Sequence, residues 1–336
     1  MSTWDSISRE IKTLNKPDAY DIVRRQKIDT VCAVTGRNLV IYAVDFTNPI
    51  KSQLLGSQHI SLMDKDGFEE VTRNLEGDQL DILLHSPGGS AEATESIVDL
   101  LRDRFSDIRF IVPNCAKSAA TMLAMSGNQI LMDERSELGP TDPQMILNLD
   151  GRLVAAPAQA IKDQFERAQT EVNKDPTKLP SWVPILRVYG PSLLAECDNH
   201  LALAESLVSK WLEKYMFAGE QEASTKAKEI ARYLNDHNHF HSHARRIGIA
   251  DLRERGVNIL DMREDKKLHE AIRDLYTSLM LTFDGTGAFK IFENNKHEAL
   301  INMIIQQQIP IQGQQVNPSI PKTPSNRSNP KNKKRK

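Results

Sequence analysis

Apolar residues recur along this chain with two periods, and each change of period marks an element. Residues 4–27 have loose helical spacing and predict a helical lead-in. Residues 30–34 and 39–44 are rich in β-branched side chains and flank Thr35-Gly36-Arg37-Asn38, a pattern that predicts a hairpin. A regular alternation follows. Residues 64–75 predict a helix, 80–84 a short apolar strand, and 91–105 a helix with Ile97, Leu100 and Leu101 on one face. Residues 108–112 predict a strand, 118–125 a helix and 129–132 another strand. Strands alternating with helices imply parallel β-α-β units, whose strands are continuously apolar because both faces are covered.

After Pro143 the spacing becomes helical. Helices are expected over 156–172, 201–217, 220–234 and 264–283; the second carries Leu203, Leu207, Trp211, Leu212 and Tyr215 on one stripe. Pro176, Pro180 and Pro184 lie between the first two, where no long helix could include them. There is no internal repeat. The expected organisation is a helical lead-in (1–27), an α/β catalytic core (28–150), a helical extension packed on that core (151–305) and a disordered basic tail (306–336).

Composition changes this picture little, and charge adds one feature. At 336 residues, 40% hydrophobic and 26% charged, the chain has the profile of an ordinary enzyme-sized globular protein. No apolar run approaches the roughly 18 residues needed to span a bilayer. The polar start, Met1-Ser2-Thr3-Trp4-Asp5, lacks a secretory profile, so a cytoplasmic location is expected. Cys32, Cys115 and Cys197 are few and scattered, which suits reduced thiols. From Pro310 onward there are seven basic residues and no acidic ones, so a net charge of −2 conceals a body at −9. The tail's charge suits a weak anionic partner, although no aromatic residue is interleaved to stack on bases; a solubilising extension explains it equally well.

The chemistry concentrates in residues 82–144. A strand ends in His85-Ser86-Pro87-Gly88-Gly89, and a second strand is followed by Ala116-Lys117-Ser118-Ala119-Ala120 at the start of a helix. A serine hydroxyl needs a base to take its proton, and the resulting oxyanion needs fixed donors. Glycines leave unshielded amides that can serve, as can the amide of Ala119. Alone, the same residues would simply cap a helix and turn a chain.

Leu84-His85-Ser86-Pro87-Gly88-Gly89, Ala116-Lys117-Ser118-Ala119-Ala120-Thr121-Met122 and Glu137-Leu138-Gly139-Pro140-Thr141-Asp142-Pro143-Gln144, in this order and spacing, resemble the serine dehydrogenase proteinase family. That family belongs to the Clp/crotonase fold, with Clp protease and signal peptide peptidase A as more distant relatives. The resemblance covers residues 30–257. It implies a spiral of β-β-α units, Ser118 as nucleophile, an oxyanion hole from the amides of Gly88 and Ala119 with Gly89 beside them, and assembly into a homo-oligomer.

The base is where the chain departs from Clp proteases. Their histidine would fall near residues 141–143, where this chain has none, so a Ser-His-Asp triad built from that segment is not expected. Signal peptide peptidase A uses a downstream lysine, and by that resemblance Lys162 occupies the window. Burial would lower its pKa and make it a base; the plainer account is a solvated helix lysine beside Asp163. Lys117 points away from Ser118 and supplies local charge. His85 is more simply a hydrogen-bonded strand end, Cys115 a buried hydrophobe, and Asp142 an anchor for the turn or a partner.

His237, His239, His241 and His243 alternate, so an extended backbone would put all four on one face, as a metal site requires. No cysteine or second carboxylate sits at ligand spacing, and no metal is expected. Ser242 suits the cap of a helix beginning at Ala244. The family resemblance reaches His243-Ala244-Arg245-Arg246-Ile247-Gly248, which makes His243 a second candidate base.

The leading expectation is therefore a serine-type peptidase, a hydrolase that works through an acyl-enzyme on Ser118 with a lysine as base, needs no cofactor and acts on peptide or protein substrates. A catalytically silent oligomeric scaffold of the same fold is the alternative. A crotonase-like acyl-CoA enzyme stands behind both, because no basic pocket for the CoA phosphates is evident. Nothing resembles a pyridoxal-phosphate lysine or a nicotinamide-binding glycine motif.

Overall fold

The structure, a computed structural model, describes residues 2–49, 51, 57–149 and 151–304. Its strands are β1 (Asn38–Val44), β2 (Gln79–His85), β3 (Asp107–Val112), β4 (Cys115–Ala116), β5 (Gln129–Met132), β6 (Glu137–Leu138), β7 (Gln144–Leu149), β8 (Arg152–Pro157), β9 (Ile259–Asp261), β10 (Ala288–Asn294) and β11 (Ala299–Met303). Its helices are α1 (Trp4–Leu14), α2 (Ala19–Thr35), α3 (Met63–Thr72), α4 (Ala91–Arg102), α5 (Ala119–Met125), α6 (Ala158–Lys174), α7 (Leu179–Leu186), α8 (Leu193–Trp211), α9 (Ala223–Asn235), α10 (His237–Phe240), α11 (Ile249–Glu254) and α12 (Lys266–Gly285). The expected basic tail lies outside the described residues.

The main sheet has the order β11-β10-β1-β2-β3-β5-β9. From β1 to β9 its neighbours run parallel, while β10 and β11 are antiparallel. The alternating faces of β1 explain why both sides are covered. Val40, Tyr42 and Val44 join a core with Phe68 of α3, Ile97 of α4 and Trp211 of α8. Leu39, Ile41 and Ala43 pack instead with Ile28 of α2 and Ile272, Leu275 and Leu279 of α12. The expected β-α-β alternation is present, in a mixed α/β fold whose helices also follow the sheet in sequence.

Two expectations fail for physical reasons. Residues 30–34 are not a hairpin strand: α2 continues to Thr35, and Gly36 stops it in the left-handed conformation at φ 66°, its amide donating to Cys32 O at 2.8 Å. Ile28 and Val31, three apart, share a helical face in the core, so packing overrides the β preference of Val31. The extension over 151–305 is also not purely helical, since β9, β10 and β11 return to both sides of the sheet. In β10 every residue is buried, including Lys290 and Glu293. Lys290 pairs with Asp64 at 2.8 Å, and Glu293 takes Arg25 at 2.9 Å and the buried Arg24. Charges at interior positions hid this strand from a reading based on polarity.

A β7–β8 hairpin stands apart from the main sheet before α6. The proline-bearing stretch folds as a turn over Pro176–Lys178 and the short α7, which places Pro180 in its first turn and Pro184 inside it. No helix among the described residues is long and apolar enough to cross a membrane.

Candidate active site

Ser86–Gly89 leaves the end of β2 and runs beside the segment that ends in Ser118. Ser86 N donates to Cys115 O at 3.2 Å, and Lys117 N donates to Ser86 O at 3.0 Å. The two glycines are needed for close approach. A Cβ on Gly88, whose φ is 96°, would lie 2.4 Å from Lys117 O and 2.8 Å from Ser118 Cβ. One on Gly89 would meet the backbone of Ile60 at 2.3 Å.

Ser118 itself has φ 53° and ψ −123°, outside the regions that side chains adopt without cost. It turns the chain sharply from β4 into α5 and accepts no capping bond on its side chain. A serine held there by its surroundings is a strained, projecting hydroxyl of the kind found at nucleophile turns.

The amides divide by use. Gly88 N donates to Ser86 Oγ at 3.2 Å. The amides of Gly89 and Ala119 donate to no partner among the described residues, and both residues line the same cavity as Ser118. Of the expected oxyanion donors, Gly89 and Ala119 are therefore free, while Gly88 makes room for them.

Residues 138–142 bring in the remaining groups. Leu138 and Ile247 exchange amide bonds at 3.0 Å, and Thr141 N donates to Leu234 O at 2.7 Å. These contacts staple the chain over 234–247 to the segment after β6. His243 lines the cavity with Ser118, and its Nδ1 lies 2.6 Å from Oδ1 of Asp142. Asp142 is buried, and its Oδ2 also accepts from His237 Nδ1 at 2.9 Å and Gln144 Nε2 at 3.0 Å. A carboxylate accepts only, so a neutral imidazole bound through Nδ1 carries its proton there and leaves Nε2 as a lone pair. Ser118 and the His243 imidazole thus line one cavity, and the carboxylate that holds the imidazole comes from a segment about a hundred residues earlier in the chain.

The cavity encloses about 600 Å³. Met122, Ala204, Pro143, Ile146 and Ala155 make much of its wall apolar, and among the described residues Glu92 is its only carboxylate. A hydrogen bond from Ser90 keeps Glu92 below the usual carboxylate range, with a further contribution from His200. Thr141 Oγ1 is a buried hydroxyl on this wall with no partner among the described residues. Sequence reading missed Glu92, His200 and Thr141 because nothing in their local pattern separates them from ordinary helix and turn residues.

Among the other candidates, Lys162, the histidine run and Ser242 lie differently from expectation, while His85 and Cys115 are buried. Lys162 does not line the cavity; its Nζ pairs with Asp198 at 2.6 Å, and that hydrogen bond raises its pKa against a smaller effect of burial, opposite to what a lysine base requires. Lys117 bonds Leu138 O at 3.1 Å and Glu137 at 3.0 Å, a structural clip. His85 is buried, and desolvation lowers its pKa to about 4; it packs edge-on to Tyr276. Burial pushes the Cys115 thiol up to about 12. The histidine run is not extended: His237–Phe240 is the single turn α10, and His241 reverses the chain at φ 58°. Ser242 caps no helix at Ala244, since α11 begins at Ile249. Among the described residues Asp133, Glu134 and His269 form the group with metal-compatible spacing, but Arg273 at 3.5 Å from Asp133 and Arg263 at 3.9 Å from Glu134 already supply positive charge.

Residues 37–180 match the family described as ClpP-like SDH-type serine proteinase. The resemblance drawn from the three motifs is borne out, and with it a ClpP-like α/β fold. Two uncharacterized proteins of Methanocaldococcus jannaschii are similar: MJ0137, 26% identical over 54% of this chain and 53% of its own, and MJ1495, 24% identical over 63% of each. The chain thus spans between half and two thirds of the length of these relatives. Among solved structures, the 1510-N membrane-bound stomatin-specific protease is similar at a TM-score of 0.37 and 17% identity, covering 61% of this chain and 77% of that one.

Proposed function

We propose that this chain is a serine peptidase that cleaves peptide bonds through an acyl-enzyme on Ser118, with His243 as the base and Asp142 as the residue that orients it. The observation carrying this reading is the cavity shared by a strained Ser118 and His243, whose Nδ1 is held by the buried Asp142. His243 Nε2 takes the hydroxyl proton as Oγ attacks the substrate carbonyl carbon. The oxyanion is met by the Gly89 and Ala119 amides, whose dipoles are fixed before the charge develops. As the intermediate collapses, the C–N bond breaks and His243 returns the proton to the leaving amine. Water, deprotonated by the same imidazole, then attacks the ester and releases Ser118. Asp142 remains ionised and stabilises the imidazolium. The apolar wall suits a substrate with apolar side chains next to the scissile bond.

The decisive experiment is fluorophosphonate labelling and peptide cleavage by the wild type, Ser118→Ala and His243→Ala. Both activities should vanish in Ser118→Ala and fall by about 10³-fold or more in His243→Ala. Undiminished cleavage by Ser118→Ala would overturn the proposal. A wild type that neither labels nor cleaves, yet assembles into a defined oligomer, would favour a silent scaffold.

A further inference from the structure

The carboxylate that holds His243 has a second imidazole on it. His237 and His243 both place Nδ1 on Asp142, at 2.9 Å on Oδ2 and 2.6 Å on Oδ1. They come from one short segment, and His241, at φ 58°, reverses the chain between them so that the two rings close on the carboxylate from the same loop. Gln144 Nε2 adds a third donor, to Oδ2 at 3.0 Å.

A carboxylate turns readily about its Cβ–Cγ bond, since that torsion is broad and roughly two-fold. A buried carboxylate bonded at one oxygen only would leave the other unsatisfied, with no solvent to replace the lost partner. Bonds to both oxygens fix the carboxylate plane, and through Oδ1 they fix the imidazole of His243. The turn that delivers His237 is itself anchored. Asp236 accepts from His239 N at 3.0 Å, and His241 N donates to His237 O at 2.7 Å. Phe240 is buried with its ring 5.0 Å from that of Tyr233, and Asn238 Nδ2 donates to Asp163 of α6 at 3.1 Å.

We propose that His237 is a positioning residue for the reaction: it holds Oδ2 of Asp142 so that Oδ1 presents His243 to Ser118 in one orientation. This rests on the reading of Ser118, His243 and Asp142 given above. His237 does not line the cavity and is not placed to touch substrate. Its effect passes through Asp142, and the chemistry it requires is an N–H at the position of Nδ1, with neither positive charge nor ring size essential.

Asparagine carries Nδ2 the same number of bonds from Cα as Nδ1 of histidine, whereas glutamine carries its amide one bond farther. His237→Ala should lower kcat by about tenfold to a hundredfold with KM within about twofold, because a loosened base mispositions the attack without touching the binding wall. His237→Asn should recover kcat to within about threefold of the wild type, and His237→Gln should stay near the alanine variant. A second readout does not depend on turnover. In Ser118→Ala, the low-field proton resonance of His243 Nδ1–H should move when His237 is replaced by alanine and return with asparagine. If the alanine variant fails to fold, the asparagine and glutamine variants decide by the same comparison.

The inference is overturned by a folded His237→Ala with unchanged kcat and an unmoved His243 resonance, or by equal losses in the asparagine and glutamine variants. Those results beside inactive Ser118→Ala and His243→Ala would remove this inference alone. Activity retained in Ser118→Ala would remove the peptidase reading and this one together.

Discussion

Gly88→Ala separates the requirement for close approach from the requirement for a left-handed backbone. Gly88 has φ 96° and Gly77 has φ 85°, so an alanine at either strains the backbone similarly, at about 1 kcal/mol. Their surroundings differ. A Cβ at Gly77 meets nothing within 4 Å, whereas at Gly88 it would sit 2.4 Å from Lys117 O, 2.8 Å from Ser118 Cβ and 2.9 Å from Ala119 N. Restoring ordinary contact requires opening this corner by about 1 Å against Lys117 and about 0.6 Å against Ser118, in an interior packed too tightly to give way freely. The groups displaced are the proposed nucleophile and one proposed oxyanion donor. Gly88→Ala should lose about 1–3 kcal/mol beyond the backbone cost, read by urea unfolding, and fluorophosphonate labelling should slow about a hundredfold. Gly77→Ala should lose about 1 kcal/mol and label within about twofold of the wild type. A Gly88→Ala protein that labels at the wild-type rate would refute the claim that this approach positions the serine.

Lys162→Ala should keep peptide cleavage within about twofold of the wild type, because Lys162 is engaged with Asp198 outside the cavity; a hundredfold loss in steady-state turnover would restore lysine as the base. His85, whose folded pKa is depressed to about 4, binds a proton more readily in the unfolded chain. Its contribution to stability is therefore complete above pH 6.5, and is lost as the pH falls from there through about 4, by at most about 3 kcal/mol. Denaturant unfolding across that window should show a positive slope of stability with pH, flattened in His85→Phe; an unchanged slope would show that other groups set it.

The motifs at residues 84–89, 116–122 and 137–144 were legible because each is a local requirement. Glycines are where backbones meet, a small residue follows the serine, and apolar runs mark strands covered on both faces. They were enough to point to Ser118, the paired glycines beside it, the parallel β-α-β core and the family resemblance. What could not be read locally depended on distant partners. Strand β10 went unread because the carboxylate that neutralises Lys290 and the guanidinium groups that neutralise Glu293 lie more than 200 residues away in the chain. Residues 30–34 had strand composition but helical packing.

The same division applies to the site. The sequence by itself determined that Ser118 sits at a strand-to-helix turn beside two glycines, and that no histidine occupies the segment around Asp142. Only the tertiary structure brings the two histidines to Asp142, because a hydrogen bond depends on distance in space, and the chain closes about a hundred residues to put His243 and His237 there. It also removed Lys162 by giving it Asp198, since a lysine's pKa is set by neighbours that sequence spacing does not reveal.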